Sequence, residues 1–324
     1  MTQLKTSFAG LSLRNPVIIS SSSLTNSAEK NKKLELAGAG AIVLKSVFEE
    51  QIMMQAHHMA TYDSPEAGDY LSTYVRSHAI KEYIDLIQET KRLCTIPIIA
   101  SINCYSDSEW IDFAKMIEEA GADALEINIL ALQSEVQYTY GSFEQRHIDI
   151  LRHIKKTIKI PVIMKLGDNL TNPVALIDQL YANGAAAVVL FNRFYQPDIN
   201  IEKLEHISGE IFSNASDLAI PLRWIGIASA VVDKIDYAAS GGVANAESVV
   251  KAILAGASAV EVCSAVYLNT NAFIGEANRF LSAWMERKGF RNIAQFKGKL
   301  NIKDVQGVNT FERTQFLKYF GKKE

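Results

Sequence analysis

Cysteine is scarce in this chain, and the cysteines that are present do not suit a disulfide framework or a metal site. Only three occur in 324 residues, at Cys94, Cys104 and Cys263. They form no CxxC pair and no spacing typical of metal ligands. Few, unpaired thiols are typical of proteins kept in a reducing compartment rather than of secreted proteins held together by disulfides. The sequence therefore predicts a cytoplasmic protein.

Long apolar segments are also missing. The first 16 residues, MTQLKTSFAGLSLRNP, contain no apolar core of the kind that a secretory signal has. The longest unbroken apolar runs, such as AAAVVLF at 185–191, are far shorter than the roughly 20 residues that a membrane-spanning helix needs. We therefore expect no association with a membrane.

An excess of charge of either sign is lacking as well. The chain has 33 Lys and Arg residues against 36 Asp and Glu residues. Domains that bind nucleic acid usually carry a clustered basic charge, so this balance argues against such a partner. We expect a small-molecule partner instead, and the chain is long enough to bury a substantial core.

The sequence does contain a repeated unit of helix, glycine and apolar strand. Four segments share it: 36–46, 118–129, 181–192 and 254–265. Glycine commonly follows the last turn of a helix, because it adopts the left-handed conformation that ends one. Four further apolar strands, at 15–22, 96–103, 160–167 and 235–240, bring the total to eight, and helical patterns alternate with them.

Eight strands alternating with helices predict an α/β fold, the (β/α)8 or TIM barrel. The strands are nearly continuous apolar runs, as expected when both faces of a parallel sheet are covered. We predict one domain over residues 1–324, with a short N-terminal β hairpin and a C-terminal helical tail in which Phe316, Tyr319 and Phe320 have helical spacing. A doubly wound sheet is the rival architecture, but no glycine-rich turn follows the first strand.

Polar residues stand where the predicted strands end, and in a TIM barrel those carboxyl ends form the functional site. In chain order they are Ser20, Ser21, Lys45, Ser46, Ser101, Asn103, Asn128, Lys165, Asn192, Ser240, Gly241, Gly242, Cys263 and Ser264. Metal sites are built from convergent Asp, Glu, His or Cys side chains. Since we find no histidine or carboxylate at a strand end, the sequence predicts no metal site.

Two adjacent glycines follow the seventh strand. Barrels commonly bind phosphate with the loops after strands seven and eight. Gly241 and Gly242 let the backbone approach an anion without a Cβ atom in the way, while the amides near Cys263 and Ser264 close the other side. A phosphate site beside lysines and amides suits the planar flavin cofactor FMN, with Lys165 as a cation near the ring nitrogen that gains charge on reduction.

The chain resembles the FMN-dependent dihydroorotate dehydrogenases over nearly its whole length. The resemblance lies in residues 8–23, in LKS at 44–46, in residues 240–267 and in the segment ERKGFRNIAQFKGKL at 286–300. It implies an FMN-binding barrel that works in pyrimidine synthesis and often pairs as a homodimer. It also implies FMN contacts at twelve of the positions above: Ser20, Ser21, Lys45, Ser46, Ser101, Asn128, Lys165, Asn192, Gly241, Gly242, Cys263 and Ser264. Asn103, the remaining amide at a strand end, completes a predicted cofactor site of thirteen residues. We assign Lys45, Asn128, Asn192 and Arg193 to the substrate side of the cofactor.

The chain departs from the family at the residue expected to remove a proton from dihydroorotate. The loop after the fourth strand resembles LNxSCPN in the family but reads EINILALQ here, so that Ala131 occupies the expected base position. Neither alanine nor leucine accepts a proton. Glu49 and Glu50 also lie in the loop expected to meet the anionic substrate. Orotate formation is therefore doubtful on the sequence alone.

KSVFEEQI (45–52), FNRFYQPDI (191–199) and PLRWIGI (221–227) resemble a subgroup called dihydroorotate dehydrogenase-like, in which FMN binding is kept while some catalytic residues are missing. Cys104 and Tyr105 are candidates to replace the base, and His57 or His58, in the long loop after the second strand, could donate a proton. The predicted function is hydride transfer between FMN and an unidentified small substrate. The alternatives are a dihydroorotate dehydrogenase with an atypical base, a flavin-binding protein without turnover, and a phosphosugar lyase or isomerase.

Overall fold

Helices and strands alternate along the residues that the computed structural model describes, which are 2–48, 65–103, 110–304 and 311. The strands are β1 (Thr6–Phe8), β2 (Leu11–Leu13), β3 (Val17–Ile19), β4 (Ala41–Val43), β5 (Val47–Phe48), β6 (Ile98–Asn103), β7 (Ala124–Ile129), β8 (Val162–Gly167), β9 (Ala187–Asn192), β10 (Pro197–Asn200), β11 (Glu205–Ser208), β12 (Asp236–Ser240) and β13 (Ala259–Val262). The α-helices are α1 (Ala28–Leu36), α2 (Pro65–Leu93), α3 (Trp110–Glu119), α4 (Ser142–Thr157), α5 (Pro173–Ala182), α6 (Ala219–Val231), α7 (Ala246–Ala255), α8 (Ser264–Asn269) and α9 (Ala272–Lys288).

Eight of the strands form a closed parallel ring. Following the ring, the order is β4, β3, β13, β12, β9, β8, β7 and β6, and pairing of β4 with β6 closes it. The short β5 continues the line of β4 and pairs with the outer end of β6. The predicted TIM barrel is confirmed, and each of its eight wall strands lies within a predicted segment.

Local sequence signals mark the helix ends. The side chains of Ser27, Asn172 and Asn245 accept hydrogen bonds from backbone amides in the first turns of α1, α5 and α7. Such side chains satisfy amides that have no partner within the helix. At the other end of α7, Gly256 has φ 128°, a conformation that a side chain disfavours. The repeated helix–glycine–strand unit therefore reflects how each helix stops.

The predicted N-terminal hairpin, β1–β2, is antiparallel and closes the amino-terminal end of the barrel. Phe8 and Leu13 are fully buried in one cluster with inward-facing wall residues such as Ile18 and Ile163. A larger apolar cluster lies between the strands and the surrounding helices. The hairpin thus gives the interior of the barrel an apolar floor at the end away from the predicted site.

Inward-facing residues change from apolar to polar along each strand, since alternate residues face the same side. On β7 the apolar Ala124 is followed, two residues later, by the buried Glu126. On β8 the apolar Ile163 is followed in the same way by the buried Lys165. The carboxyl-terminal half of the barrel interior is therefore polar, and this layer carries the candidate site.

Two further features lie outside the wall. The hairpin β10–β11, between β9 and α6, was not predicted, and its residues are almost all exposed. Most of the predicted helical tail, including Phe316, Tyr319 and Phe320, falls outside the described residues. At Phe311 the chain lies against α6, where a Cβ atom added to Gly226 would come within 2.6 Å of the phenylalanine ring.

No helix in the described ranges is long and apolar enough to cross a membrane.

Candidate active site

A cavity of about 370 Å³ opens at the carboxyl ends of the wall strands. A volume of this order suits a small-molecule site. Eleven of the thirteen residues predicted to hold a cofactor line it: Ser20, Ser21, Ser46, Asn103, Asn128, Lys165, Asn192, Gly241, Gly242, Cys263 and Ser264. Barrel closure thus brings residues from both halves of the chain into one space.

The other two predicted residues lie beside this cavity. Ser101 is fully buried, and its Oγ lies 2.7 Å from Ser46 Oγ, behind the cavity wall. Lys45 lines a neighbouring cavity of about 560 Å³ between α1 and α2, which also includes Glu29 and Glu82. Among the described residues, Lys45 is therefore placed next to the main cavity and not in its wall.

Two of the amides are held in fixed positions. Asn192 Nδ2 donates to Asn128 Oδ1 at 3.0 Å across the ends of β9 and β7. Asn192 Oδ1 accepts from the backbone amide of Arg193 at 2.9 Å. These bonds orient the amide of Asn128 so that its Nδ2 donor remains available to a bound group.

Arg193 was predicted to face the substrate, but in the structure its guanidinium also holds the protein chain. One Nη donates to the carbonyl oxygens of Glu210 and Ile211, at 2.8 and 2.6 Å. The other lies 3.6 Å from Asp217. Because Arg193 and Ile211 both line the cavity, this side chain fixes the segment before α6 as part of its wall.

The glycines, Ser264 and a residue not predicted from sequence line the cavity near the ends of the paired strands β12 and β13. Ser213 donates to Ser264 Oγ from its backbone amide, at 3.0 Å, and from its own Oγ, at 3.1 Å. Gly241 and Gly242 have φ 89° and 74°. A Cβ atom on Gly241 would meet only Phe191 O, at 3.8 Å, whereas one on Gly242 would overlap the backbone of Leu218. Gly241 therefore opens toward the cavity, and Gly242 allows close packing behind it.

Three serine hydroxyls form a hydrogen-bonded series along one wall. Ser21 Oγ lies 2.9 Å from Ser46 Oγ, which in turn contacts Ser101. Tyr83, from α2, fixes the strand behind them, because its hydroxyl accepts from the amide of Ser101 at 2.7 Å and donates to its carbonyl at 3.0 Å. Burial raises the pKa of Tyr83, so that the phenol stays protonated. The wall offers hydroxyl donors and acceptors at defined positions.

Lys165 lies in the barrel between two buried glutamates. Its Nζ is 2.5 Å from Glu261 Oε2 on β13 and 3.6 Å from Glu126 Oε1 on β7, and it donates to Ser20 Oγ at 3.0 Å. Burial works against its charge, but its interactions with Glu126 and Glu261 outweigh burial, and the pKa of Lys165 is raised. The amine is therefore a permanent cation.

The two glutamates respond to this site in opposite directions. Burial and the neighbouring charge of Glu261 raise the pKa of Glu126 well above its usual value. Burial also disfavours the charge of Glu261, but Lys165 and the hydrogen bonds from its neighbours hold the pKa of that carboxyl below its usual value. Two carboxyl groups in one low-dielectric site commonly divide in this way.

Two carboxyl side chains that were not singled out from the sequence, Glu126 and Glu261, also line the cavity. They were missed because they lie within the strands. Glu126 lies two positions before the predicted Asn128, and Glu261 lies two positions before the predicted Cys263. Since alternate residues of a strand face the same side, this spacing was the signal that could have found them. Within the described ranges, no three His, Cys, Asp or Glu side chains cluster closely enough to hold a metal ion.

Comparison with known proteins gives the chain its family. The family whose sequence model matches is described as Dihydroorotate dehydrogenase, and the match covers residues 3–285. The chain belongs to the dihydroorotate dehydrogenase family. Similar proteins named "Dihydroorotate dehydrogenase B (NAD(+)), catalytic subunit" occur in Thermoplasma volcanium and Alkaliphilus metalliredigens, both 26% identical over 92% of this chain and 98% of theirs. A Methanocella arvoryzae protein of the same name is 28% identical over 87% of this chain and 93% of its own.

Within this dihydroorotate dehydrogenase fold, the position predicted to lack the base faces away from the centre. Leu130 lines the cavity, whereas the methyl group of Ala131 packs against the apolar core. Ala131 also accepts a hydrogen bond from Asn169 Nδ2 through its carbonyl oxygen, at 2.8 Å. Neither side chain accepts a proton. The resemblance to a subgroup lacking catalytic residues stays a prediction.

Other lining residues were not singled out from sequence. Phe48, Phe191, Phe194 and Tyr195 supply aromatic surface to the cavity. Aromatic walls are common in small-molecule sites, and the aromatic run at 191–195 was a signal for them. The remaining candidates from the sequence, Glu49, Glu50, His57, His58, Cys104 and Tyr105, lie outside the described residues.

Proposed function

We propose that this protein is an FMN-dependent oxidoreductase that transfers hydride between the flavin and a small substrate. One observation carries the proposal: a cavity at the carboxyl ends of the strands combines an open glycine backbone, oriented amides, a buried lysine and aromatic surface. Membership of the dihydroorotate dehydrogenase family, an oxidoreductase family, supports this chemistry. The alternative of a phosphosugar lyase would use the glycines to bind phosphate, but it would give no role to the amides and the aromatic rings.

The residues present suit FMN. Gly241 leaves room for an anion that a Cβ atom would fill, and Ser213 and Ser264 place hydroxyl groups beside it. Asn128 and the serine series provide the donors and acceptors that the pyrimidine edge of a flavin requires. When bound, FMN would accept two electrons as hydride from a reduced carbon centre.

The first experiment is to measure flavin binding by absorbance and fluorescence. We expect the purified protein to contain FMN, or to bind it when FMN is added. Riboflavin, which has the same ring but no phosphate, should bind at least tenfold more weakly, because it cannot use the site at Gly241. Absence of both bound flavin and FMN uptake would refute the proposed function. Equal affinity for the two flavins would refute the phosphate site alone.

Dihydroorotate is the substrate to test first, because the relatives are named as dihydroorotate dehydrogenases. Their names give no support to the doubt about orotate formation that Ala131 raised. We therefore propose turnover of dihydroorotate with a base other than residues 130 and 131. Anaerobic addition of dihydroorotate should bleach the flavin absorbance and release orotate. A flavin that stays oxidised with dihydroorotate, but is bleached by another dihydro compound, would support the unidentified-substrate alternative.

The electron acceptor belongs to the same proposal. The relatives are named with NAD(+) and as catalytic subunits. In this chain β3 leads into a run of serines rather than a glycine-rich turn typical of dinucleotide binding. We propose that NAD+ is reduced only with the help of a second polypeptide. The chain alone should reduce an artificial acceptor but not NAD+, and NADH formation by the chain alone would contradict this. A homodimer stays a prediction that mass measurement in solution would test.

A further inference from the structure

The buried glutamate pair below the cavity has more acid groups than the nearby cation can neutralise. Glu126, Glu261 and Lys165 are 1%, 2% and 5% exposed. The three come from different strands, β7, β13 and β8, and meet only because the barrel closes. With both carboxyls ionised, the cluster would carry one uncompensated negative charge away from water. Such a charge is costly, and a buried acid usually keeps its proton instead.

The hydrogen bonds indicate which acid keeps the proton. Glu261 Oε2 accepts from Lys165 at 2.5 Å and from Ser20 at 3.0 Å, as suits an ionised carboxylate. Glu126 is less well supported, since its Oε1 is 3.6 Å from Lys165 and 3.5 Å from Ser101 Oγ. Its Oε2 accepts no hydrogen bond from a described donor, and its side-chain hydrogen bond with Glu261 places the proton on Glu126. Glu126 is therefore the protonated member.

The charged and titratable groups that the structure describes around the pair include no second cation. Tyr83 and Cys263 face the cluster, and burial raises the pKa of each, so both stay neutral. Within the described part of the chain, two other cations near the site are directed elsewhere: Arg193 bonds to the segment before α6, and Lys45 lines the neighbouring cavity. Among the described residues, Lys165 is thus the only positive charge placed to balance the pair.

We propose that Glu126 and Glu261 share a single negative charge and so keep Lys165 neutralised beneath the cavity, with either glutamate able to do this alone. The two are positioning residues that set the charge experienced by a bound group. For a bound flavin, this means that Lys165 does not act as an unpaired cation. This application to flavin rests on the proposed function. The pair then disfavours accumulation of negative charge on a reduced flavin.

Either glutamate should therefore balance the charge of Lys165 when the other is changed to glutamine. In Glu126→Gln the side chain that is replaced is already neutral. The glutamine that replaces it has nearly the shape of the protonated acid. Glu261→Gln removes the repulsion that keeps Glu126 protonated, so Glu126 ionises and pairs with Lys165. Only the double variant leaves the lysine charge uncovered.

The protonation state is tested on the flavin-free protein, so this test does not depend on the proposed function. Infrared spectroscopy distinguishes a protonated carboxyl from a carboxylate by its carbonyl band, which shifts in heavy water. We expect one buried carboxylic acid band in the unmodified protein, and its loss in both Glu126→Gln and Glu261→Gln. A band that persists in Glu126→Gln, or no band in the unmodified protein, would overturn the assignment.

The charge effect is tested by the reduction potential of bound FMN. In the double variant the unpaired charge of Lys165 should raise the ratio of reduced to oxidised flavin at least tenfold over that in the unmodified protein. This corresponds to a rise in the reduction potential of about 30 mV or more for a two-electron couple. Each single variant should change the ratio less than threefold. Adding Lys165→Met to the double variant removes the uncovered charge and should restore the original potential. Single variants that match the double variant would refute the sharing.

If the double variant does not fold, the infrared test and the two single variants still decide the inference. If no variant binds FMN, the proposed function fails while the shared charge is still tested by the infrared bands.

Discussion

The adjacent residues Gly241 and Gly242 both lack a side chain, but for different structural reasons. Both have positive φ, so a side chain at either position is strained by about 1–2 kcal/mol. At Gly242 a Cβ atom would also collide with the backbone at Asp217 and Leu218, whereas at Gly241 it would make only an ordinary contact with Phe191 O. The first glycine therefore serves the cavity and the second serves packing.

Substitution with alanine should separate these roles. We expect Gly242→Ala to lower the free energy of unfolding by about 2–5 kcal/mol, since strain and overlap add. Gly241→Ala should cost only about 1 kcal/mol but weaken FMN binding at least tenfold, with little change for riboflavin. Chemical denaturation and flavin titration measure the two effects. Equal loss of stability in both variants would show that the packing difference has no consequence.

At the scale of single elements, α1 is tied to the start of β6 by one carboxylate. Glu35 Oε1 accepts from Thr95, through its amide at 2.8 Å and its hydroxyl at 2.7 Å, and from the amide of Ile96 at 3.2 Å. Its Oε2 accepts from Lys32 at 2.6 Å. Burial opposes the charge, but these bonds outweigh it and lower the pKa of Glu35 to about 2. The carboxylate therefore joins a helix to the neighbouring strand.

This coupling predicts a stability loss in acid. Because the pKa of Glu35 is lower in the folded state, its contribution is present above pH 4.5 and is lost as the pH falls toward 2. The contribution at neutral pH is at most about 3 kcal/mol. We expect Glu35→Gln to lower the free energy of unfolding at pH 7 and to flatten its decline between pH 4.5 and 2. The exposed Glu29→Gln on the same helix is the control and should change the free energy of unfolding by no more than about 1 kcal/mol, the usual contribution of an acid in the first turn of a helix.

At the scale of the whole molecule, the N-terminal hairpin and the candidate site occupy opposite ends of the barrel. The hairpin fills the amino-terminal end with Phe8 and Leu13, and Ala9 N donates to Asp236 Oδ2 at 3.0 Å. The cavity occupies the carboxyl-terminal end. This division separates the residues that stabilise the ring from those that serve the site.

Removal of the large side chain in the hairpin should therefore affect stability and not binding. We expect Phe8→Ala to lower the free energy of unfolding by about 3–5 kcal/mol, because it leaves a cavity among fully buried wall residues. Flavin affinity should stay within threefold while the protein is folded. Ser7→Ala, at an exposed position of the same strand, is the control. A large loss of flavin affinity in Phe8→Ala would show that the two ends are coupled.

The sequence by itself determined the alternation of strands and helices and the polar strand ends, since both depend on local patterns. Gly256 illustrates the first, because a glycine that ends a helix acts within a few residues. Lys165 illustrates the second, because its place at the end of an apolar run was visible in the sequence.

Only the tertiary structure decided which inward-facing groups meet. Glu126 and Glu261 are far apart in the chain, and each follows strand alternation in an ordinary way. Ring closure brings both to Lys165, and their shared low-dielectric surroundings then set their protonation. The same closure placed Lys45 beside a different cavity from the other strand-end residues. Local periodicity specifies the face of a strand, but the distances between strands depend on the closed ring.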